Sequence, residues 1–219
     1  MNKKICIIVG FGPGMGMALA RRFAKEDFKI ILIARRAEAL EKYETILSVE
    51  GYQVASYPAD VSNFELLRNI FERIEEKHGN PNVLIYNASI FRQVSPTDLH
   101  PEDLVNDFRI NVAGALVAAK KVIPFMKYQK SGTILFTGGG QAVDPFYEYS
   151  SLAVGKAGIR NLCFSLAAEL KPFGIHVATV TIMGSIQKGT HFDPELISEE
   201  FWKLHKQTFE NFETEVYYR

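Results

Sequence analysis

The stretch KICIIV at residues 4–9 runs without a break into Gly10, Gly12, Gly14 and Gly16, and from there into MALARRFAKE, where apolar and basic residues alternate with helical spacing. A buried strand that enters a glycine-rich turn and then a helix presents bare backbone N–H groups and a helix N-terminus, the arrangement that receives a phosphate. Glycine serves there for steric reasons first. A side chain at Gly10, Gly14 or Gly16 would block the tight strand exit, the close approach of an anion, or the packing of helix on strand. The spacing is not G-x-G-x-x-G, which fails at Met15 when begun at Gly10 and at Met17 when begun at Gly12; G-x-x-x-G-x-G fits at Gly10, Gly14 and Gly16, with Gly12 and Met15 in the same cradle. The plainer alternative is a turn that needs glycine only for positive φ.

Short apolar runs alternate with longer helical patterns along the rest of the chain. Strands are expected near 4–9, 29–33, 53–57, 82–86, 133–137 and 175–181, and helices near 14–26, 37–50, 63–78, 101–127, 151–171 and 194–208. That rhythm predicts an α/β fold, a Rossmann-type doubly wound parallel sheet of six to seven strands in a single domain spanning 1–219. Ser62 with Glu65 reads as a capping box, Gly79 as a helix stop, Pro101 as a first helical residue, and Pro172 with Gly174 as the end of the fifth helix. The last ten residues, ENFETEVYYR, could add a seventh strand.

Of 219 residues, 47% are hydrophobic and 23% charged, enough for one substantial core. Lys plus Arg equals Asp plus Glu, 25 each, so bulk charge argues for neither a nucleic-acid partner nor an anionic membrane. Cys6 and Cys163 lie in apolar stretches and suit a reducing compartment. Met1 to Val9 has a charged start and an apolar run too short for the core of a signal peptide, and nothing approaches the ~20 apolar residues of a membrane span. A cytoplasmic, soluble chain is the expectation. The five histidines are scattered without ligand spacing, and no metal site is expected.

Ligands of such sheets sit at the carboxyl ends of the strands. The second strand ends in Ala34, Arg35 and Arg36, where a site for an unphosphorylated ribose would carry an acid. Arginine there offers bidentate contact to a 2′-phosphate, which favours NADP(H) over NAD(H). The third strand ends in Pro58, Ala59, Asp60 and Val61, the fourth in Asn87, Ala88 and Ser89.

Together, the loop from Gly10 to Gly16, Asp60 and Val61, Asn87 and Ala88, Asn111 within the fourth helix and Lys156 in the fifth resemble, in order and spacing over residues 4–186, the short-chain dehydrogenase/reductase family. The resemblance implies a seven-stranded Rossmann sheet, Asp60 and Val61 near an adenine, Asn87 and Ala88 along the cofactor channel, and Lys156 on the nicotinamide ribose. It also implies that Asn111 and Lys156 organise a proton-relay water chain. Family members use a Tyr four residues before the Lys and a Ser thirteen before that Tyr; here those positions hold Leu152 and Gly139. Tyr149, about two helical turns before Lys156, could reach the site down the same helix face, and Thr137 could partly replace the serine. Tyr147, Ser150 and Ser151 are further candidates. The structural alternative has the tyrosines lining a pocket wall and Ser150 or Ser151 capping the fifth helix. After the sixth strand, Met183 and Gly184 stand where the family places Pro-Gly, and Lys188 where it places a hydroxyl residue, with Thr190 two residues on.

The expected function is that of an NADP(H)-dependent oxidoreductase on a small carbonyl or alcohol, with Lys156, Asn111 and Tyr149 as catalytic candidates. The rival is a catalytically silent NADP-binding protein acting as a redox sensor or interaction partner. Family members commonly assemble through the fourth and fifth helices. The small residues Ala113, Gly114, Ala118, Ala153, Ala157 and Ala168 would permit a homodimer or homotetramer, or would pack on the chain's own sheet.

Overall fold

Most strand residues are apolar, and more than half are Ile, Val, Phe or Tyr, which suits a sheet covered on both faces. The computed structural model describes residues 3–219; Met1 and Asn2, which open the charged start, lie outside them. Seven strands, β1 (Ile5–Val9), β2 (Lys29–Ala34), β3 (Val54–Pro58), β4 (Val83–Tyr86), β5 (Gly132–Thr137), β6 (Ile175–Ile182) and β7 (Glu215–Tyr218), form one parallel sheet in the order β3-β2-β1-β4-β5-β6-β7. The order reverses between β1 and β4, so the switch point opens beyond their carboxyl ends.

Alternating strand residues divide the core in two. Ile5, Ile7 and Val9 pack against α3 (Phe64–His78), α5 (Gly114–Gln129) and α6 (Ser150–Leu170). Cys6 and Ile8 face α1 (Met15–Ala24), α2 (Ala37–Val49) and α7 (Pro194–His205). On that side Phe23 meets Phe28 and Trp202 edge to face, which seats α7 against α1. Among the described residues no helix is long and apolar enough to cross a membrane.

Three local expectations are corrected. The helix expected over 101–127 is α4 (Pro101–Phe108), a π-helical turn at Arg109–Ala113, and α5. The Tyr86 hydroxyl donates to the Ile110 carbonyl at 2.5 Å, drawing that acceptor out of the helical ladder, and a turn of wider pitch results. Ser62 does not cap α3. Its N–H and hydroxyl donate to Asp60 Oδ1, and Asn63 takes the cap by accepting from the Leu66 N–H. Nor does Ser150 or Ser151 cap α6: Tyr149 occupies that position without a side-chain cap, and the Ser150 hydroxyl donates to the Val94 carbonyl. Of the small residues considered for assembly, Ala118 is buried in the chain's own core, and Gly114 packs under Tyr86 and Val61.

Gly79 ends α3 with φ +91°, Pro101 opens α4, and β7 forms within the last ten residues, as read from the sequence.

Candidate active site

Beyond the carboxyl ends of β1 and β4 the glycine turn is held by tertiary contacts. The Gly10 and Phe11 N–H groups both donate to the Ile33 carbonyl, and Asn87 Nδ2 donates to the Gly10 carbonyl at 2.9 Å. Gly10 has φ +83°, and a Cβ on it would lie 2.2 Å from the Ala88 backbone, so glycine is required twice over. Gly16 packs against Phe11, while Gly12 and Gly14 face open space. Among the described residues no side chain caps the start of α1 at Gly14 and no acid lies in its first turn, which leaves the positive end of the helix dipole without a counter-charge there.

A cavity of about 340 Å³ lies along this turn, lined by Gly10, Gly12, Asp60, Val61, Asn87 and Ala88 together with Arg35 and Arg36. Both guanidinium groups belong to exposed residues. Phe11 and Tyr43, edge to face at 5.4 Å, form an aromatic wall that the sequence did not single out. Burial opposes ionisation of Asp60, but its two hydrogen bonds from Ser62 and the charge of Arg35 outweigh it and hold the carboxyl below its usual pKa.

A second cavity of about 720 Å³ adjoins the first at Asn87 and Ser89. Its walls include Met15, Phe91, Gly139, Asp144, Leu152, Lys156 and Met183. Lys156 Nζ donates to the Thr137 carbonyl at 2.8 Å, and burial without a compensating carboxylate pushes its pKa down to about 8. The Thr137 hydroxyl donates to Asn87 Oδ1 at 2.8 Å, so its single proton is committed. Behind Lys156 a pocket of about 10 Å³, also lined by Asn111 and Ser89, has room for about one water molecule. Asn111 Oδ1 accepts from the Ile90 N–H at 2.8 Å, and its buried Nδ2 has no partner among the described residues.

Tyr149 lies outside both cavities. The helical-face argument fails because α6 begins only at Ser150; the preceding backbone bridges to Val94, and the Tyr149 ring packs against Phe91 and Phe146. Tyr147 lines a separate apolar cavity with Leu104 and Ala153. After β6, Ser185 lines the groove, whereas Thr190 bonds within its own loop, to the Gln187 carbonyl and from the Phe192 N–H.

The loop that carries Ile90 and Phe91 is fastened by a pair that the sequence reading missed. Arg92 donates from Nε and Nη2 to Asp107, at 2.8 and 3.1 Å, and Asp107 is fully buried. Its position four residues before Asn111, on the same helical face, was the available signal. Burial would raise the Asp107 pKa; the Arg92 hydrogen bonds and charge outweigh this and hold it below the usual value. A depressed carboxyl contributes stability above its unfolded pKa of about 3.9 and loses it as pH falls through the folded value. Asp107→Asn is therefore expected to lower Tm at pH 7 and to shrink the further fall in Tm between pH 5 and pH 3 (about the range of carboxyl titration). Thermal melts across that range check both effects.

The model described as short chain dehydrogenase matches residues 4–192. The chain belongs to the short chain dehydrogenase family. An uncharacterized oxidoreductase, YxjF of Bacillus subtilis (strain 168), is 30% identical over 178 residues, covering 81% of this chain and 69% of that one. The 2,3-dihydro-2,3-dihydroxybenzoate dehydrogenase of the same organism is 29% identical over 178 residues, covering 81% and 68%. Among solved structures, a metagenomic short-chain oxidoreductase in complex with NADP superimposes with a TM-score of 0.91 at 22% identity, covering 100% of this chain and 97% of that one. In this family member the carboxyl edge of the sheet thus carries two adjoining cavities, with paired arginines in one and Lys156 in the other.

Proposed function

We propose that the chain is an NADP(H)-dependent oxidoreductase interconverting a small carbonyl compound and its alcohol, with Leu152 and Gly139 in place of the family's phenol and serine. The observation that carries this reading is the pair of adjoining cavities that extend from Arg35 and Arg36, past the uncapped start of α1, to Lys156. The residues present fit a phosphorylated dinucleotide. Exposed arginines at the end of β2 suit a 2′-phosphate, and free amides at the glycine turn suit a pyrophosphate. Asp60 and Val61, with the aromatic wall of Phe11 and Tyr43, would flank the adenine; Asn87 and Ala88 would border the channel. Lys156 would hold the nicotinamide ribose, and Asn111 would hold a water against it. A nicotinamide bound there would supply or accept the hydride. The same fold holds NADP in the metagenomic neighbour.

Phe91, Leu152, Ile182, Met183 and Ile186 make the inner cavity mostly apolar, which suits an uncharged substrate. Asn87 acts through the fold: by tying Gly10 to Thr137 it keeps the exits of β1 and β5 in register around the groove.

Calorimetric titration with NADPH and NADH tests the reading. Arg35→Ala with Arg36→Ala should weaken NADPH binding ~10- to 100-fold, the worth of a charge-assisted contact, and change NADH binding by less than about threefold. Equal losses for the two coenzymes would remove the role given to the arginines. No uptake of either by the wild type would remove the function.

A further inference from the structure

The inner cavity contains few groups able to give up a proton. Thr137 has spent its hydroxyl proton on Asn87, and Ser150 has spent its own on the Val94 carbonyl. Tyr149 is not among the residues that line the cavity, and its ring packs against Phe91 and Phe146. Asp144 is an exposed carboxylate, which at neutral pH accepts rather than donates. Ser89 and Ser185 are hydroxyls that can relay a proton but are too weakly acidic to be its source. Lys156 remains. It lines the inner cavity, and among the described residues one of its three N–H groups is taken, by the Thr137 carbonyl. It also borders the water-sized pocket that it shares with Asn111, so a spent proton has a route of replacement. Side chains at 139 and 152 that could stand between Nζ and a substrate oxygen are glycine and leucine.

We infer that Lys156 is itself the proton donor of this site: its ammonium, rather than a tyrosine, protonates the oxygen of the carbonyl being reduced. The inference rests on the dinucleotide reading above, which supplies the reductant, a reduced nicotinamide. As the carbonyl carbon gains hydride, the C=O π pair moves to oxygen; oxygen takes the proton from Nζ, and the N–H bonding pair stays on nitrogen as a neutral amine. A water seated in the small pocket against Asn111 then relays a proton from solvent to the amine, taking one proton up as it passes one on. Burial has already brought the ammonium close to neutrality in acidity, which is the range that suits a general acid.

The test uses the full chain with two independent readouts. The first is the Lys156 ionisation in the protein alone, followed by ¹³Cε NMR of lysine-labelled protein and assigned by its loss in Lys156→Arg; titration near pH 8 is expected. The second is NADPH-dependent reduction of 2,3-butanedione beside NADPH binding. Lys156→Arg keeps the charge but cannot release it, and should lose about 100-fold or more in kcat while binding NADPH within roughly tenfold. Tyr149→Phe should keep kcat within about threefold, and wild-type kcat should fall as pH rises through 8. A Lys156 ionisation above pH 10, a Tyr149→Phe variant as inactive as Lys156→Arg, or a wild type that binds NADPH without turnover would overturn the assignment. Failure of the wild type to bind NADPH overturns instead the reading on which it rests.

Discussion

Gly139→Ser combined with Leu152→Tyr is expected to raise kcat/KM for carbonyl reduction by about tenfold, less than the ~10²- to 10⁴-fold worth of a general acid brought to a site without one, because Lys156 already supplies a proton. The backbone already accepts the change. Gly139 is extended, with φ −167° and ψ 148°, a conformation open to any residue, and a Cβ there would touch Lys156 Cε at 3.4 Å, an ordinary contact. Its neighbours are different. A Cβ on Gly138 would lie 2.6 Å from Thr179 Oγ1, and one on Gly140 3.1 Å from Met183 Sδ, so position 139 is the one of the three glycines that admits a side chain without displacement. Leu152 is buried, one turn before Lys156, and lines the inner cavity, so a phenol in its place would project toward the same ammonium. Steady-state kinetics on a set of small aldehydes and ketones, with Gly138→Ser as a control that should only destabilise, measure the effect. An unchanged kcat/KM in a folded, NADPH-binding double variant would mean that the cavity, not the acid, limits turnover.

The second large effect separates fold from ligand within the glycine turn. Gly10→Ala should destabilise the protein by ~3 kcal/mol or more, since it combines a left-handed backbone with direct overlap on Ala88. Relief would require the exits of β1 and β4 to separate, breaking the bonds that the Asn87 backbone N–H and Nδ2 donate to the Val9 and Gly10 carbonyls. Gly12→Ala meets nothing within 4 Å and should leave stability within about 0.5 kcal/mol of the wild type. Its methyl would nonetheless project at the groove, and NADPH affinity should drop at least about tenfold if amides there approach a phosphate closely. Urea denaturation and calorimetry on the two variants give the comparison. A Gly12→Ala protein that binds NADPH as tightly as the wild type would remove the pyrophosphate from this turn.

Much of the groove was legible in the chain because its signals are local. Glycine spacing marks a strand exit within a few residues, and Arg35, Asp60 and Asn87 each stand just past an apolar run, where a parallel sheet meets its ligands. Where the reading erred, a distant partner had intervened. Ser62 with Glu65 has the form of a capping box, yet the Asp60 carboxylate took Ser62 and left the cap to Asn63. Tyr149 has helical spacing to Lys156, yet the contact with Val94 ends the helix one residue short of it. The Arg92–Asp107 pair joins residues 15 apart across a loop, so helical spacing to Asn111 could mark Asp107 but not its partner.

The chain by itself therefore determined the layered parallel sheet and the strand ends at which its cavities open, since alternation of apolar runs and glycine sterics act over one or two turns of backbone. Which hydroxyls keep a proton to give, which tyrosine turns away, and how Asn111 comes to face Lys156 through a π-helical turn were decided only when β4, α4 and α6 packed together. Those outcomes depend on competition for buried hydrogen-bond acceptors, such as the Ile110 carbonyl claimed by Tyr86, and that competition exists only in the assembled core.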